Sequence, residues 1–281
     1  MRIKGGIKVD WSKTKTIFIL AFLILDIYLA IEFFELRDKS DYAVMQEATL
    51  EEKLAAEDIK YGDLPEDIGK GFYITAKSKD FTLEEVSKLN DKEQSLVVTN
   101  TNIEEESFRS LKMKLTKPFP LPDVNLESKV NQFLKENVIS GELYHYWYTD
   151  EESNSIICIQ KYKDRNIFQS KLDHIGMVIL QLDEDNQIYG YEQSMLEGIK
   201  EVEEQESTIT ALKAIEALYN KNYLPENSQI VNMQYGYYTH IPLSNQQILA
   251  PTWHIIIETK DKERQDFYVN ALEGDVLQLT D

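Results

Sequence analysis

Hydrophobic positions follow three patterns along the chain, and each pattern predicts a different element. Residues 17–34 are almost continuously apolar, as in a helix that crosses hydrocarbon. Apolar residues then recur at helical spacing in residues 126–138 and 209–219. Short stretches rich in β-branched and aromatic residues, separated by Gly, Asn, Asp and Pro, predict strands. The sequence therefore predicts a single transmembrane helix followed by an α+β domain.

The apolar segment 17–34 is predicted to stay in the membrane rather than to be cleaved as a signal peptide. It is about long enough to span a bilayer, and Glu32 and Glu35 stand where a signal peptide has small residues for cleavage. Lys13 and Lys15 precede it, so the positive-inside rule places the N-terminus in the cytoplasm and the C-terminal domain outside the cell membrane.

Asp26 lies near the middle of this span, where an ionised carboxylate costs about 2.5 kcal/mol or more. A single span has no second helix in the same chain to shelter it, so Asp26 is predicted to face a helix of another protein. The alternative is a neutral Asp26 tolerated by an apolar helix. Residues that share its helical face form the predicted partner-contact face, which comprises Ile19, Phe22, Asp26, Leu29, Ala30 and Phe33.

The N-terminal half divides into four predicted parts. Residues 1–16 form a cytoplasmic N-terminus, of which residues 1–8 are not translated if Val9, rather than Met1, is the start. The transmembrane helix of residues 17–34 is followed by a charged juxtamembrane helix or spacer at residues 35–58. Residues 59–121 form a first ectodomain segment, with strands and a helix that begins at a capping box of Thr82 and Glu85. Prolines at positions 118, 120 and 122 are predicted to end it.

Residues 122–281 are predicted to contain an internal duplication, with one copy in residues 122–205 and the other in 206–281. In each copy a helix precedes a meander of antiparallel strands. The first copy includes a hairpin around residues 183–186, and the second has Ser207 as the predicted N-cap of its helix. Aromatic strands at residues 144–149 and 235–239 occupy matching places. These strands form either an exposed recognition face or ordinary sheet packing.

Composition narrows the range of functions. The formal net charge is −19, and the acidic excess lies entirely after residue 34. Such a domain repels phosphate groups, so nucleic acid is not an expected partner. The one cysteine, Cys158, lies in an apolar run and is predicted to be a buried thiol rather than a nucleophile.

The sequence contains no motif that predicts catalysis, a cofactor or a metal site. The four histidines lack metal-ligand spacing, and G-x-S-x-G, phosphate-loop and H-E-x-x-H motifs are absent. Residues 183–186 are acidic like the start of a calcium loop, but Ser194 stands where that loop needs a glutamate, so a polar turn is favoured. We expect a protein that is not an enzyme.

Residues 10–15 (DWSKTK) run directly into the apolar helix, and residues 249–253 (LAPTW) lead into an apolar strand. Together with the acidic α+β ectodomain, these stretches resemble the YycI family, also called WalI, of Gram-positive bacteria. Residues 207–276 are also similar to a PepSY-type unit. The resemblance implies a regulator of the WalK/WalR (YycG/YycF) two-component system that contacts the sensor kinase WalK (YycG) together with the related anchored protein YycH. It leaves open whether the kinase is activated or repressed, and whether the protein forms a homodimer.

Two other hypotheses remain. In the first, the protein is an anchored PepSY-like binding or inhibitory module for a wall enzyme or ligand, and the helix is only a tether. In the second, it is an anchored wall hydrolase, for which no nucleophile, metal set or acid can be named. Replacement of the helix by an unrelated anchor distinguishes the tether from the regulator.

Overall fold

The computed structural model describes residues 11–42, 48–90, 92–97, 107–122, 124–170, 174–242 and 246–277. The chain divides into two compact units, Met1–Lys53 and Leu54–Asp281. The larger unit has α+β architecture, with a mostly antiparallel sheet and few helices. This agrees with the predicted fold class of the ectodomain.

Five α-helices occur in the described residues: α1 Trp11–Tyr42, α2 Leu50–Ala56, α3 Leu83–Asn90, α4 Leu126–Asn137 and α5 Ala211–Asn220. Helix α1 contains the apolar segment 17–34. None of the helices, over the residues described, is long and apolar enough to cross a membrane. The predicted start at Val9 lies outside the described residues, as do residues 43–47 of the predicted spacer 35–58, whose other residues include the end of α1 and the whole of α2.

Eighteen strands are described. The first nine are β1 Lys60–Tyr61, β2 Lys70–Gly71, β3 Ile74–Ser78, β4 Phe81–Thr82, β5 Gln94–Leu96, β6 Ser107–Phe108, β7 Leu111–Pro120, β8 Tyr144–Asp150 and β9 Ser155–Tyr162. The others are β10 Arg165–Phe168, β11 Met177–Leu182, β12 Gln187–Gln193, β13 Leu196–Glu201, β14 Glu206–Ser207, β15 Gln229–Pro242, β16 Gln246–Glu258, β17 Arg264–Asn270 and β18 Val276–Leu277.

Fourteen of the described strands form one sheet in the order β13-β3-β16-β15-β10-β9-β11-β12-β7-β5. Strands β1, β17, β18 and β8 pair with β15, β16, β17 and β9, respectively. Strands from residues 59–121 and from residues 122–281 therefore share this sheet. A helix followed by antiparallel strands occurs twice, as α4 with β8 to β12 and as α5 with β15 to β18; that these repeats are a duplication stays a prediction.

Both faces of β9 are covered, which explains its continuous apolar run. Ile156 and Cys158 pack into a core with α3 and α4. Ile157 and Ile159 face the other way, into a second core. Burial raises the pKa of the Cys158 thiol, so this cysteine is the inert structural group predicted for it.

The helix starts show one correct and one wrong prediction. The capping box forms as expected, since Thr82 N–H donates to Glu85 Oε2 (2.9 Å) and Glu85 N–H donates to Thr82 Oγ1 (3.3 Å). Ser207 is not the N-cap of α5, because it pairs with Lys70 in a short two-stranded sheet. Thr210 has that role and accepts a hydrogen bond from Lys213 N–H.

The prolines do not interrupt β7 before Pro120, where the strand ends; the predicted boundary of the first ectodomain segment at residue 121 stays a prediction. Strand β7 continues through Pro118 and Pro120 and pairs again with β12 beyond a bulge, where the register changes between Ile188 and Gly190. Proline has no N–H to donate to a neighbouring strand, and it is tolerated at a bulge because the regular hydrogen-bond ladder is interrupted there.

The predicted polar turn between β11 and β12 is confirmed. Asp183 Oδ1 accepts hydrogen bonds from the backbone N–H groups of Asp185 (3.0 Å) and Gln187 (2.8 Å). Asn186 adopts a left-handed conformation, with φ of 56°. The acidic residues therefore serve the turn itself.

Gly236 is the point where two halves of the sheet meet. Strand β10 pairs with β9 at one end and runs parallel to β15 over Gly236, Tyr237 and Tyr238. A Cβ at position 236 would overlap the Asn166 carbonyl oxygen and lie 2.6 Å from Phe168 Cε2. Only glycine permits this approach of β10 to β15.

Gly236→Ala is therefore expected to destabilise the fold by about 1–3 kcal/mol, as other overpacked core sites do. Gly62→Ala is the matched control, since a Cβ at that position meets nothing within 4 Å. Urea denaturation followed by tryptophan fluorescence measures both variants. Equal unfolding free energies for the two variants would contradict the tight contact at Gly236.

Candidate functional site

A groove of about 1130 Å³ lies in the larger unit, lined chiefly by β8, β15 and β17. Both of the aromatic strands singled out from the sequence contribute to it. Its lining comprises Pro65, Glu127, residues 145–149, Lys161, Asp164, Asn166, Gln169, Ser170, residues 232–235, Ile256, Arg264, Asp266 and Tyr268. We call this feature the aromatic groove.

Strand β8 is held in place by groups at its start. The buried Tyr144 hydroxyl donates a hydrogen bond to the Ser194 carbonyl (2.6 Å), and Asn131 of α4 accepts one from Tyr146 N–H (2.8 Å). A bulge between Tyr146 and Tyr148 then changes the register with β9. Because of this bulge, consecutive aromatic residues of β8 reach the groove.

Five rings pack together at the groove and are called the aromatic cluster: Trp147, Phe168, Tyr238, His254 and Tyr268. The His254 ring stacks on Tyr268, with centroids 4.8 Å apart, and lies 4.7 Å from Phe168. Trp147 brings β8 into the cluster at 5.3 Å from His254. The cluster therefore joins the two aromatic strands through side chains of β10, β16 and β17.

His254 is fully buried and hydrogen-bonded to a carboxylate of the groove. Its Nε2 lies 2.6 Å from Asp266 Oδ1, whose side chain is 44% exposed. Its Nδ1 is buried and has no hydrogen-bond partner among the described residues. In this conformation the ring cannot contact a substrate, so the pair positions the Asp266 carboxylate at the groove rather than forming an accessible acid-base centre.

The surroundings of His145 and Tyr235, which both line the groove, shift the pKa values of these side chains. Burial, reinforced by the nearby Lys161 charge, lowers the pKa of His145 to about 4. Burial raises the pKa of Tyr235 to about 12, although the Arg165 guanidinium opposes this shift. His145 is therefore neutral, and Tyr235 keeps its hydroxyl proton, at neutral pH.

The rim carries charges of both signs with a small acidic excess. Glu127, Asp164 and Asp266 supply carboxylates. Lys161 and Arg264 supply cations, and Arg264 Nε lies 3.4 Å from Glu258. The lining of the groove therefore has a small net negative charge, of the same sign as the net charge of the whole chain.

A smaller pocket of about 350 Å³ adjoins the groove at Tyr235, which lines both. Lys70, Lys163 and Arg165 line it. Lys163 is paired with Glu201 at 2.6 Å, and the Arg165 guanidinium lies over the Tyr235 ring at 4.5 Å. Much of this positive charge is therefore already engaged within the protein.

The residues predicted for partner contact all belong to α1 and not to the groove. Ile19, Phe22, Asp26, Leu29 and Ala30 are exposed on this helix, whereas the side chain of Phe33 lies outside the described residues. Their role stays a prediction. Within the described part of the chain, no group of three His, Cys, Asp or Glu residues could hold a metal ion.

The aromatic strands contain both buried and exposed rings, and a recognition role for the exposed ones stays a prediction. Tyr144, Tyr237 and Tyr238 are buried and pack in the sheet, whereas Tyr148 is 40% exposed and lines the groove. The contact between His254 and Asp266 is not predicted by any motif or spacing in the sequence. It could have been predicted from the register of the hairpin of β16 and β17. In that hairpin His254 pairs with Tyr268, so Asp266 is a diagonal neighbour of His254.

The family model of the YycI protein matches residues 39–272. The chain belongs to the YycI family. Membership of this family implies involvement in the YycG/WalK two-component system. Proteins of the family are typically membrane-associated. No curated protein matches the chain.

This YycI-family chain is also similar to a solved structure, the crystal structure of an uncharacterized protein from Eubacterium rectale ATCC 33656. The TM-score is 0.50 at 8% sequence identity, over 79% of this chain and 91% of that one. At this identity the similarity concerns the fold alone.

The depressed pKa of His145 predicts a pH-dependent stability. Between about pH 6.5 and 4 the unfolded chain binds a proton at position 145 and the folded protein does not, so the free energy of unfolding should fall as the pH is lowered through this window. His145→Gln should lose less stability over the same window. Lys161→Gln should give an intermediate loss, because it removes one of the two causes. Urea denaturation from pH 7 to 4 measures this, and parallel curves for the wild type and His145→Gln would refute it.

Proposed function

We propose that the protein is a non-enzymatic regulator of the sensor kinase WalK (YycG), acting together with YycH. The match of the YycI model to residues 39–272 is the observation that carries this proposal. In our proposal residues 17–34 anchor the chain in the membrane with its N-terminus in the cytoplasm. The ectodomain then contacts the kinase outside the cell and changes the population of its signalling states.

The composition of residues 17–34 supports a membrane anchor that is also a contact surface. Fifteen consecutive residues, from position 17 to 31, include a single charged residue, Asp26. The cost of placing this carboxylate in hydrocarbon is lowered if it faces a polar group of a partner helix. Lys13 and Lys15 support the orientation.

The groove supports a binding role rather than catalysis. The His254 imidazole is buried behind its hydrogen bond to Asp266, and His145 is a neutral half-buried side chain. Aromatic rings and mixed charges at a concave surface are typical of sites that recognise another protein. The ectodomain therefore supplies a second candidate contact, separate from α1.

An anchored PepSY-like module that binds a wall enzyme or ligand is the second candidate function. The same groove would then hold that ligand, and residues 17–34 would be a replaceable tether. The two functions differ in whether the effect on the kinase depends on the amino-acid sequence of residues 17–34.

Asp26→Leu in the full-length protein is expected to reduce co-purification of the kinase by about 3- to 20-fold, the range for one polar contact between membrane helices. Kinase-dependent transcription should change as well. Phe22→Ala, on the same helical face, should act in the same direction. Ile24→Ala is the matched control, because residue 24 lies almost opposite Asp26 around the helix.

Exchange of residues 17–34 for an unrelated transmembrane helix completes the test. If the helix is a working contact, the exchange should weaken the complex with the kinase and change kinase-dependent transcription. If the exchanged chain and Asp26→Leu both keep the wild-type output, the contact proposed for Asp26 is excluded and the helix is only a tether, which favours the second candidate function.

A further inference from the structure

One edge of β15 is open in its middle. Along its other edge the whole strand pairs with β16. On the open side β1 pairs only with Gln229 and Ile230, and β10 pairs only with residues 236–238. Among the strands that the structure describes, none pairs with residues 231–235 on this side. A five-residue gap is thus left between two strands on the same edge of the sheet.

The direction of the backbone groups in this gap follows from the pairing around it. The Pro251 carbonyl of β16 accepts a hydrogen bond from Ala271 N–H, so the backbone polar groups of Pro251 point away from β15. Its partner Tyr237 therefore directs its own N–H and C=O away from β16 and toward β10. Because this direction alternates along a strand, Tyr235 and Met233 also present N–H and C=O groups to the open edge.

The aromatic groove lies in front of this edge. Residues 232–235 line it, together with Pro65, which follows β1, and Asn166 of β10. Residues 145–149 of β8 line the same space. Five residues of extended chain span roughly 17 Å, so the gap matches a short strand in length.

We propose that the aromatic groove binds an extended segment of a partner protein, which adds to the sheet as a strand along residues 231–235. The backbone groups of Met233 and Tyr235 would bond to the segment, and alternate side chains of the segment would contact the groove lining. Strand addition to a sheet edge is an established mode of peptide recognition. It also satisfies backbone groups that otherwise depend on water.

Charge specifies the segment further. The chain carries −19 overall, and the carboxylates of Glu127, Asp164 and Asp266 outnumber the cations of Lys161 and Arg264 in the groove. A segment with net positive charge is therefore attracted, and an acidic one is repelled. This inference rests on the proposed function, because the segment is assigned to the extracytoplasmic parts of the kinase.

The test uses the full-length protein in detergent and fluorescent peptides of about 12 residues that overlap along those extracytoplasmic parts, a length that covers the five-residue gap with margins. Fluorescence anisotropy measures binding. At least one net-basic peptide should bind, and Met233→Pro, which removes an outward N–H, should weaken it about tenfold or more. Met233→Leu keeps that N–H and should change the affinity by less than about twofold.

Backbone methylation of the bound peptide tests the strand independently of any protein variant. Methyl groups placed on successive peptide nitrogens should abolish binding at alternate positions only, because every second N–H of an added strand faces β15. Binding that tolerates methylation at every position would overturn the inference. Binding only of peptides copied from this chain would also overturn it, since the occupant would be a second copy.

The outcomes for the groove and for the proposed function are separable. If the kinase co-purifies with the full-length protein but no peptide binds, the groove inference fails and the proposed function stands. If the kinase does not co-purify, the proposed function fails whatever the peptides do.

Discussion

The larger unit depends on the pairing of β15 with its neighbours. Strand β15 pairs along its length with β16, and on its other edge the short strand β10 connects it to β9 and so to the second half of the sheet. Three residues of β15 carry this connection, and Gly236 is needed for the close approach. The aromatic cluster reinforces it, because Phe168 of β10 packs between Trp147 of β8 and His254 of β16.

The short pairing of β10 with β15 also creates the candidate site. Because β10 is only four residues long, the neighbouring part of β15 has no partner on that edge among the described strands, and the bulged strand β8 lines the space that remains. The groove is therefore a consequence of how the two halves of the sheet are joined. An open strand edge within a well-paired sheet is a surface to which an extended segment can add.

Local elements could be predicted from the sequence because their causes are local. The capping box at Thr82 and the turn after Asp183 each depend on residues within a few positions. Ser207 was wrongly assigned as a helix cap because a strand formed by Lys70 and Gly71, far away in the sequence, takes it as a partner. The continuation of β7 through Pro118 to Pro120 could not be predicted, because it depends on renewed pairing with β12 beyond a bulge.

The groove could not be predicted for the same reason. Both aromatic strands were recognised, but their association depends on β10, a four-residue strand with no strong pattern of its own. The His254 and Asp266 contact needs the register of β16 and β17. The family could be recognised from the sequence, because its characteristic stretches do not depend on knowing which strands are neighbours.

Residue-resolved amide hydrogen exchange along β15 in the isolated full-length protein tests the open edge most directly. The amides of Gln234 and Gly236 face β16, and that of Tyr237 faces β10, so these three should exchange slowly. The amides of Met233 and Tyr235 should exchange much faster, because none of the described strands covers them. If Met233 and Tyr235 exchange as slowly as Gln234, the edge is already occupied within the chain, and the account of the groove is wrong.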